Sequence, residues 1–270
     1  MKIANHLWIV TGAASGLGLA TATLLSSLGG QVALFDLNED KGQELARTLG
    51  KDKADFFHCD VGDEESVKEA IKRARDRFKG VKWGGVVHAG GVGMAGKTID
   101  RDGQPFNLET FQEVHRINLT GSFLMASNVA SEIAKQGASK VDLSKPENAQ
   151  EEGDKGVIIL TSSVSATEGQ MGQVAYASSK AAVEGLVLPM ARDLGRYGIR
   201  VVCIAPSLFS TNMGANTSDK TRQSLLATTL FPPRFGVPQE FAKLAQAVIE
   251  NGYLNGTVIR IDGGGRMAKM

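Results

Sequence analysis

The chain is short of the residues that would staple a small protein or carry it into a membrane. Two cysteines in 270 residues, Cys59 and Cys203, are too few for a disulfide framework. Both sit in apolar, strand-like segments, and buried free thiols point to a reducing compartment, the cytoplasm. No metal site is expected. Charge of one sign is also lacking: 30 Lys and Arg against 29 Asp and Glu leave a net charge of +1, with acids and bases interspersed. That balance gives no footprint for nucleic acid or a membrane surface. The basic run from Lys68 to Lys79 alternates with Glu69 and Asp76 and reads as a solvated helix face. No apolar run is long enough to span a bilayer, since His6 to Val10 is far too short, and no secretory signal is read.

What is present is an end-to-end alternation of strand and helix patterns. Apolar runs near residues 7 to 11, 31 to 36, 54 to 59, 84 to 89, 156 to 161, 199 to 205 and 257 to 262 alternate with helical periodicity. This predicts an α/β chain with seven strands in a mostly parallel sheet and helices on both faces. The 270 residues exceed the usual length per domain, yet α/β folds of this size commonly form one domain around one sheet, so residues 1–270 are read as a single domain. Two segments interrupt the alternation. Residues 137–155 hold almost nothing apolar and predict an exposed loop insertion. Residues 207–233, ending in Pro232-Pro233, predict a mobile lid over a substrate. Pro189, within a long helical stretch, predicts a kink.

The first strand runs into Thr11-Gly-Ala-Ala-Ser-Gly-Leu-Gly18 and then a helix. Gly12 allows a tight turn, Gly16 close approach of a ligand to the backbone, and Gly18 close helix packing. The helix start then offers N–H groups to a pyrophosphate. Strand, glycine turn and helix together specify a doubly wound Rossmann fold. The second strand ends in Asp36, 18 residues after Gly18, where a carboxylate can accept from the adenosine ribose hydroxyls and repel the extra phosphate of NADP. Positions 13 to 15 supply no cation for that phosphate, so NAD is favoured. Asp36 could alternatively cap the helix near Glu39, as could Asn38 or Asp40.

Chemistry is carried by Tyr176 and Lys180. Four residues apart on a helix, they share a face. A phenol ionises near pH ~10, and an adjacent cation stabilises the phenolate and makes a usable acid/base. Ser163 follows the apolar strand Val157-Ile-Ile-Leu-Thr161 and is placed to bond a substrate oxygen, although a serine there also forms turns and caps helices. Asn118 lies in an apolar helix among Phe111, Val114, Leu119, Phe123 and Leu124 and must find hydrogen bonds if buried.

At the glycine turn, Asn118, Ser163, Tyr176 and Lys180 the chain resembles the classical short-chain dehydrogenase/reductase family, over nearly all of its length. Longer stretches, among them Glu168-Gly-Gln-Met-Gly-Gln173, Leu188-Pro-Met-Ala-Arg-Asp-Leu194 and Leu254-Asn-Gly-Thr-Val-Ile-Arg-Ile-Asp262, resemble a branch of that family acting on 3-hydroxyacyl-CoA thioesters. The resemblance implies Tyr176 as general acid/base, with Lys180 lowering its pKa and holding the nicotinamide ribose. It implies Ser163 polarising the carbonyl and Asn118 holding a water in a proton relay. It further implies NAD contacts from Ser15, Leu17, Asp36, Asp60, Val61, Ala89 and Phe209. With the turn residues Gly12, Gly18 and Gly90, and with Thr211, these complete the expected cofactor set. Gln170 joins Ser163 and Tyr176 as an expected substrate contact. A homotetramer is implied as well, with the helices near Asn118 and Tyr176 pairing between subunits and the tail beyond Val258 buried in the assembly.

Two departures stand out. After the fourth strand the family usually reads Asn-Asn-Ala-Gly, whereas this chain has His88-Ala-Gly-Gly91; His88 is expected to replace the missing asparagine structurally through a ring nitrogen. After the sixth strand Pro206-Ser207 stands where Pro-Gly is usual. The expected reaction is reversible hydride transfer between a secondary alcohol and NAD. The expected partner is a small molecule, an acyl-CoA or another hydrophobic alcohol or ketone. Lys97, in the segment Val92 to Pro105, could meet CoA phosphates or simply solubilise the chain. The alternatives are a hydroxysteroid dehydrogenase, an NADPH-dependent reductase of 3-oxoacyl groups on carrier protein, and an NAD-binding scaffold subunit without turnover.

Overall fold

The seven apolar runs form one seven-stranded sheet in the order β3-β2-β1-β4-β5-β6-β7, and every neighbouring pair is parallel. The computed structural model describes residues 1–136, 153–211 and 226–267. The strands are β1 His6–Thr11, β2 Gln31–Asp36, β3 Ala54–His58, β4 Lys82–His88, β5 Gly156–Thr161, β6 Ile199–Pro206 and β7 Thr257–Ile261. Between them run the helices α1 Gly16–Ser27, α2 Glu39–Leu49, α3 Glu64–Arg77, α4 Leu108–His115, α5 Gly121–Ala134, α6 Val174–Gly195 and α7 Pro238–Glu250. Helices cover both faces, so alternate side chains of each strand are buried on opposite sides and the strands read as unbroken apolar runs.

On one face, Leu7, Ile9, Phe35, Val86, Ile158 and Leu160 pack against α3, α5 and α6 through residues such as Ile71, Met125 and Val183. On the other, Trp8, Val10, Leu34, Val87, Ile159 and Ile204 pack against α1, α2 and α7 through Leu25, Leu45 and Phe241. The chain reverses direction across the sheet between β1 and β4, because β1 pairs with β2 on one side and β4 on the other. In an open parallel sheet that reversal leaves a crevice beyond the strands' carboxyl ends.

Two expectations change. The apolar helix around Asn118 is broken by a π turn, Arg116–Thr120, joining α4 to α5, a local widening of the kind often found at functional sites. Helix α6 runs through Pro189, inside the helix as expected, to Gly195. Of the expected exposed insertion, residues 137–152 lie outside the described residues. Asp154 belongs to the body, accepting from the Met1 amine at 2.9 Å and pairing with the buried Arg200 at 3.2 Å. A guanidinium buried at the start of β6 needs a counter-charge, and the end of the insertion supplies it. Of the expected lid, residues 212–225 also lie outside the described residues.

Candidate active site

A cavity of about 760 Å³ opens at the carboxyl ends of β1, β2, β4, β5 and β6. Apart from Asn118, every catalytic, cofactor and substrate residue expected from the sequence lines it, whereas Lys97 does not.

The glycine turn forms one side. Gly12 adopts φ +63°, and a Cβ on Gly18 would lie 2.2 Å from the Gly12 carbonyl oxygen, so only glycine permits this approach of helix to turn. Helix α1 starts with no acidic residue in its first turn, and Ser15 at its N-cap makes no side-chain capping bond. The helix's positive end is therefore left facing the cavity for an anion. Asp36 accepts from Ala14 N–H at 3.0 Å and Asn38 N–H at 2.9 Å, which ties the turn to the end of β2. The cap of α2 is Asn38, accepting from Lys41 N–H at 3.0 Å, so the alternative role for Asp36 falls away.

Asp60 is held from two directions, accepting from Gly62 N–H at 2.9 Å and the Arg116 guanidinium at 3.1 Å. Arg116 also makes a two-pronged bond to Glu113 at 2.7 and 2.8 Å, which holds the Glu113 carboxyl below its ordinary range. Arg116 and Glu113 both line the cavity, and the sequence reading missed them. Their i,i+3 spacing was visible, but the partner Asp60 comes from a different strand end.

Tyr176 and Lys180 lie one turn apart on α6. Lys180 is 5 % exposed, donates to the Thr161 carbonyl at 2.9 Å, and is pushed down to about 8 by burial. Its ammonium stands 5.7 Å from the centre of the Tyr176 ring. Burial raises the Tyr176 phenol, and its hydrogen bond with Ser163 opposes that rise. The Lys180 ammonium lies by the ring and is engaged by the Thr161 carbonyl. Ser163 Oγ also accepts from Ser165 N–H at 3.1 Å and caps the turn after β5, the structural role considered for it.

Asn118 is buried behind the cavity and its side chain makes three hydrogen bonds. Its Oδ1 accepts from Val92 N–H, its Nδ2 donates to Val92 O, both at 2.9 Å, and Nδ2 also donates to Ser179 Oγ at 3.0 Å. It pins the chain after β4, and its main-chain carbonyl accepts from Ser122 Oγ at 2.6 Å.

His88 meets the glycine turn through a ring nitrogen. Thr11 Oγ1 accepts from Gly90 N–H at 2.9 Å and is hydrogen-bonded to His88 Nδ1, also 2.9 Å away. The other ring nitrogen, Nε2, has no partner among the described residues. Burial, reinforced by the Lys180 charge, pushes His88 down to about 3.

No helix among the described residues is long and apolar enough to cross a membrane, and no cluster of metal-binding side chains occurs among them. The family model described as short chain dehydrogenase matches residues 6–222. A Bos taurus protein named 3-hydroxyacyl-CoA dehydrogenase type-2 is 44 % identical over 260 residues, 96 % of this chain and 94 % of that one. The Homo sapiens protein of the same name is 42 % identical over 260 residues, with the same coverage. A crystal structure of 3-hydroxyacyl-CoA dehydrogenase type-2 from Mycobacterium avium superposes with a TM-score of 0.88 at 37 % identity, covering 98 % of each chain.

The neutrality of His88 has a measurable consequence. The unfolded chain binds a proton at this ring near pH ~6.5 and the folded chain does not, so His88 favours folding fully above that pH and progressively less as pH falls toward about 3. Across that window the wild type should lose up to ~1.4 kcal/mol of stability per pH unit from this ring, and His88→Asn should remove that share. Urea unfolding of both proteins between pH 7 and 4.5 checks it; parallel pH dependences would contradict a buried neutral His88.

Proposed function

The chain belongs to the short chain dehydrogenase family of oxidoreductases, and from this we infer that it is an NAD-dependent enzyme interconverting 3-hydroxyacyl-CoA and 3-oxoacyl-CoA. The observation that carries the reading is the convergence of Ser163, Tyr176 and Lys180 in the cavity that the glycine turn and Asp36 also line. The substrate class rests on the activity named for the bovine, human and mycobacterial relatives.

The residues fit a nicotinamide dinucleotide. Gly12 and Gly18 leave room that a Cβ would fill, the start of α1 offers its positive end, and Thr161 Oγ1 at the cavity is buried without a partner among the described residues. Leu17, Val61, Ala89, Gly90, Phe209 and Thr211 complete the walls around that path. NAD, when bound, supplies the hydride acceptor. Asp36 would accept from the ribose hydroxyls, and its charge disfavours the phosphorylated cofactor of a carrier-protein reductase. Ser163 holds the substrate oxygen and Tyr176 takes the alcohol proton, with Gln170 beside them. Proton transfer by a positioned side chain contributes about 10²- to 10⁴-fold. Lys180 supplies the positive charge that favours the phenolate once the proton has moved. Asn118 acts by holding the loop at Val92.

For assembly we infer a homotetramer. Leu108, Phe123 and Leu188 are exposed on α4, α5 and α6, and β7 is an edge strand whose residues are all half-buried. A long apolar edge left open invites uncontrolled pairing, and a symmetric mate closes it. The buried thiols Cys59 and Cys203 suit the cytoplasm.

Tyr176→Phe should reduce acetoacetyl-CoA reduction by at least ~10²-fold while NAD binding stays nearly intact, because the ring packing survives and only the proton-transfer group is lost; a variant keeping more than a tenth of the activity would sink the assignment. Asp36→Ala should weaken NAD binding by ~1.5–3 kcal/mol and improve relative use of NADP, as read from initial rates with both cofactors. An unchanged cofactor preference means that Asp36 does not read the ribose. Light scattering at micromolar concentration should give about four times 28.6 kDa, and a fully active monomer would refute the tetramer.

A further inference from the structure

Met267 lines the cavity although it lies on the chain's tail, remote from every motif of the site. A set of charged groups holds it there. Glu168, between Ser163 and Tyr176 in the chain, accepts from Met267 N–H at 2.8 Å and pairs with Arg260 at 2.8 Å and Arg266 at 3.5 Å. Arg260 pairs in turn with Asp262 at 2.8 Å and reaches Thr167 Oγ1 at 3.3 Å. Arg266 also meets Asp262 at 3.2 Å. The carboxylate side chains are 20 % and 12 % exposed for Glu168 and Asp262, so these pairs are shielded from water more than ordinary surface pairs.

The same tail is tied to the opposite wall. Arg266 N–H donates to Thr228 O at 3.2 Å, and Gly263 O accepts from Leu230 N–H at 3.2 Å and Phe231 N–H at 3.0 Å. Residues Asp262 to Met267 thus bridge the segment after β5, which carries Ser163 and Gln170, to the segment 226–231. The reversal that makes this possible uses positive φ at Gly263, +59°, and Gly264, +72°.

We propose that Met267 is a specificity-determining residue, the wall against the substrate's chain beyond the reacting carbonyl, and that Glu168 is the positioning residue that seats it. An unbranched thioether adapts to an apolar chain and fills irregular space, which suits it to this place. The proposal rests on the reading of the site as one for 3-oxoacyl thioesters, but it concerns the bulk of the substrate and not the CoA group.

The test compares kcat/KM for ten-carbon and four-carbon 3-oxoacyl-CoA, and for the matching 3-oxo ethyl esters, with NADH. Met267→Ala should raise the long-to-short ratio about tenfold, the size of effect a few methylenes have in an apolar pocket, and Met267→Trp should lower it. Glu168→Ala should shift the ratio in the direction of Met267→Ala, mainly through KM, and should add little in the double variant, since both act on one wall. The KM for NADH, which a general loss of structure would move, should stay constant. A ratio unmoved by both Met267→Ala and Met267→Trp, or a Glu168→Ala effect that adds fully to that of Met267→Ala, overturns the proposal. Should the wild type refuse the CoA thioesters and accept the esters, the acyl-CoA reading fails, and the ester ratio still decides the role of Met267. Refusal of both substrates sinks both.

Discussion

The burial of the Lys180 ammonium is the constraint on which the site depends. A charged amine out of water is costly unless the surroundings answer it. Here one backbone carbonyl, that of Thr161 at the end of β5, accepts from it directly. Two neighbouring titratable groups, His88 and Cys203, add no charge of their own. Burial and the lysine's charge hold His88 neutral, and burial pushes the Cys203 thiol up to about 12. Glu184, one turn further along α6, is engaged by Ser162 Oγ at 2.8 Å. The ammonium thus stands 5.7 Å from the centre of the Tyr176 ring, where a developing phenolate would answer its charge.

That arrangement explains why the departure at His88 is tolerated. At the end of β4 the ring bonds the Thr11 hydroxyl, which itself holds Gly90 in the turn beside the cavity. A charged imidazole there would be cut off from water and would set a second cation against Lys180. Burial, reinforced by the lysine, therefore keeps the histidine neutral.

Most of the architecture was legible because the signals are local. A strand buried on both faces is an apolar run, and the turn at Gly12 and Gly18 has a steric requirement that only one residue type meets. The spacing of Tyr176 and Lys180 follows from helix geometry. Less legible were features joining distant segments. The π turn at Asn118 looks like uninterrupted helix in the sequence, since nothing in Arg116-Ile-Asn-Leu-Thr120 forbids regular winding. The pairing of Arg116 with Asp60 depends on how far α4 lies from the end of β3. Seating Met267 in the cavity needs Glu168 and Arg260, which belong to different elements, so the tail read as an assembly element only. The capping role weighed for Ser163 is present, and its bond to the Tyr176 phenol joins two segments and was not read from the sequence.

The strand order carries a cost during synthesis. β1 is flanked by β2 at once, but its other neighbour, β4, is made only after two further helices, and β4 in turn waits for β5 until α4, α5 and residues 137–155 have been made. Through that interval the outer edge of Lys82-Trp-Gly-Gly-Val-Val-His88 presents unpaired backbone groups beside strongly apolar side chains. Parallel pairings between distant segments form slowly, and an open apolar edge is where chains associate wrongly. The nascent protein is accordingly most vulnerable to aggregation between the completion of β4 and the arrival of Gly156–Thr161.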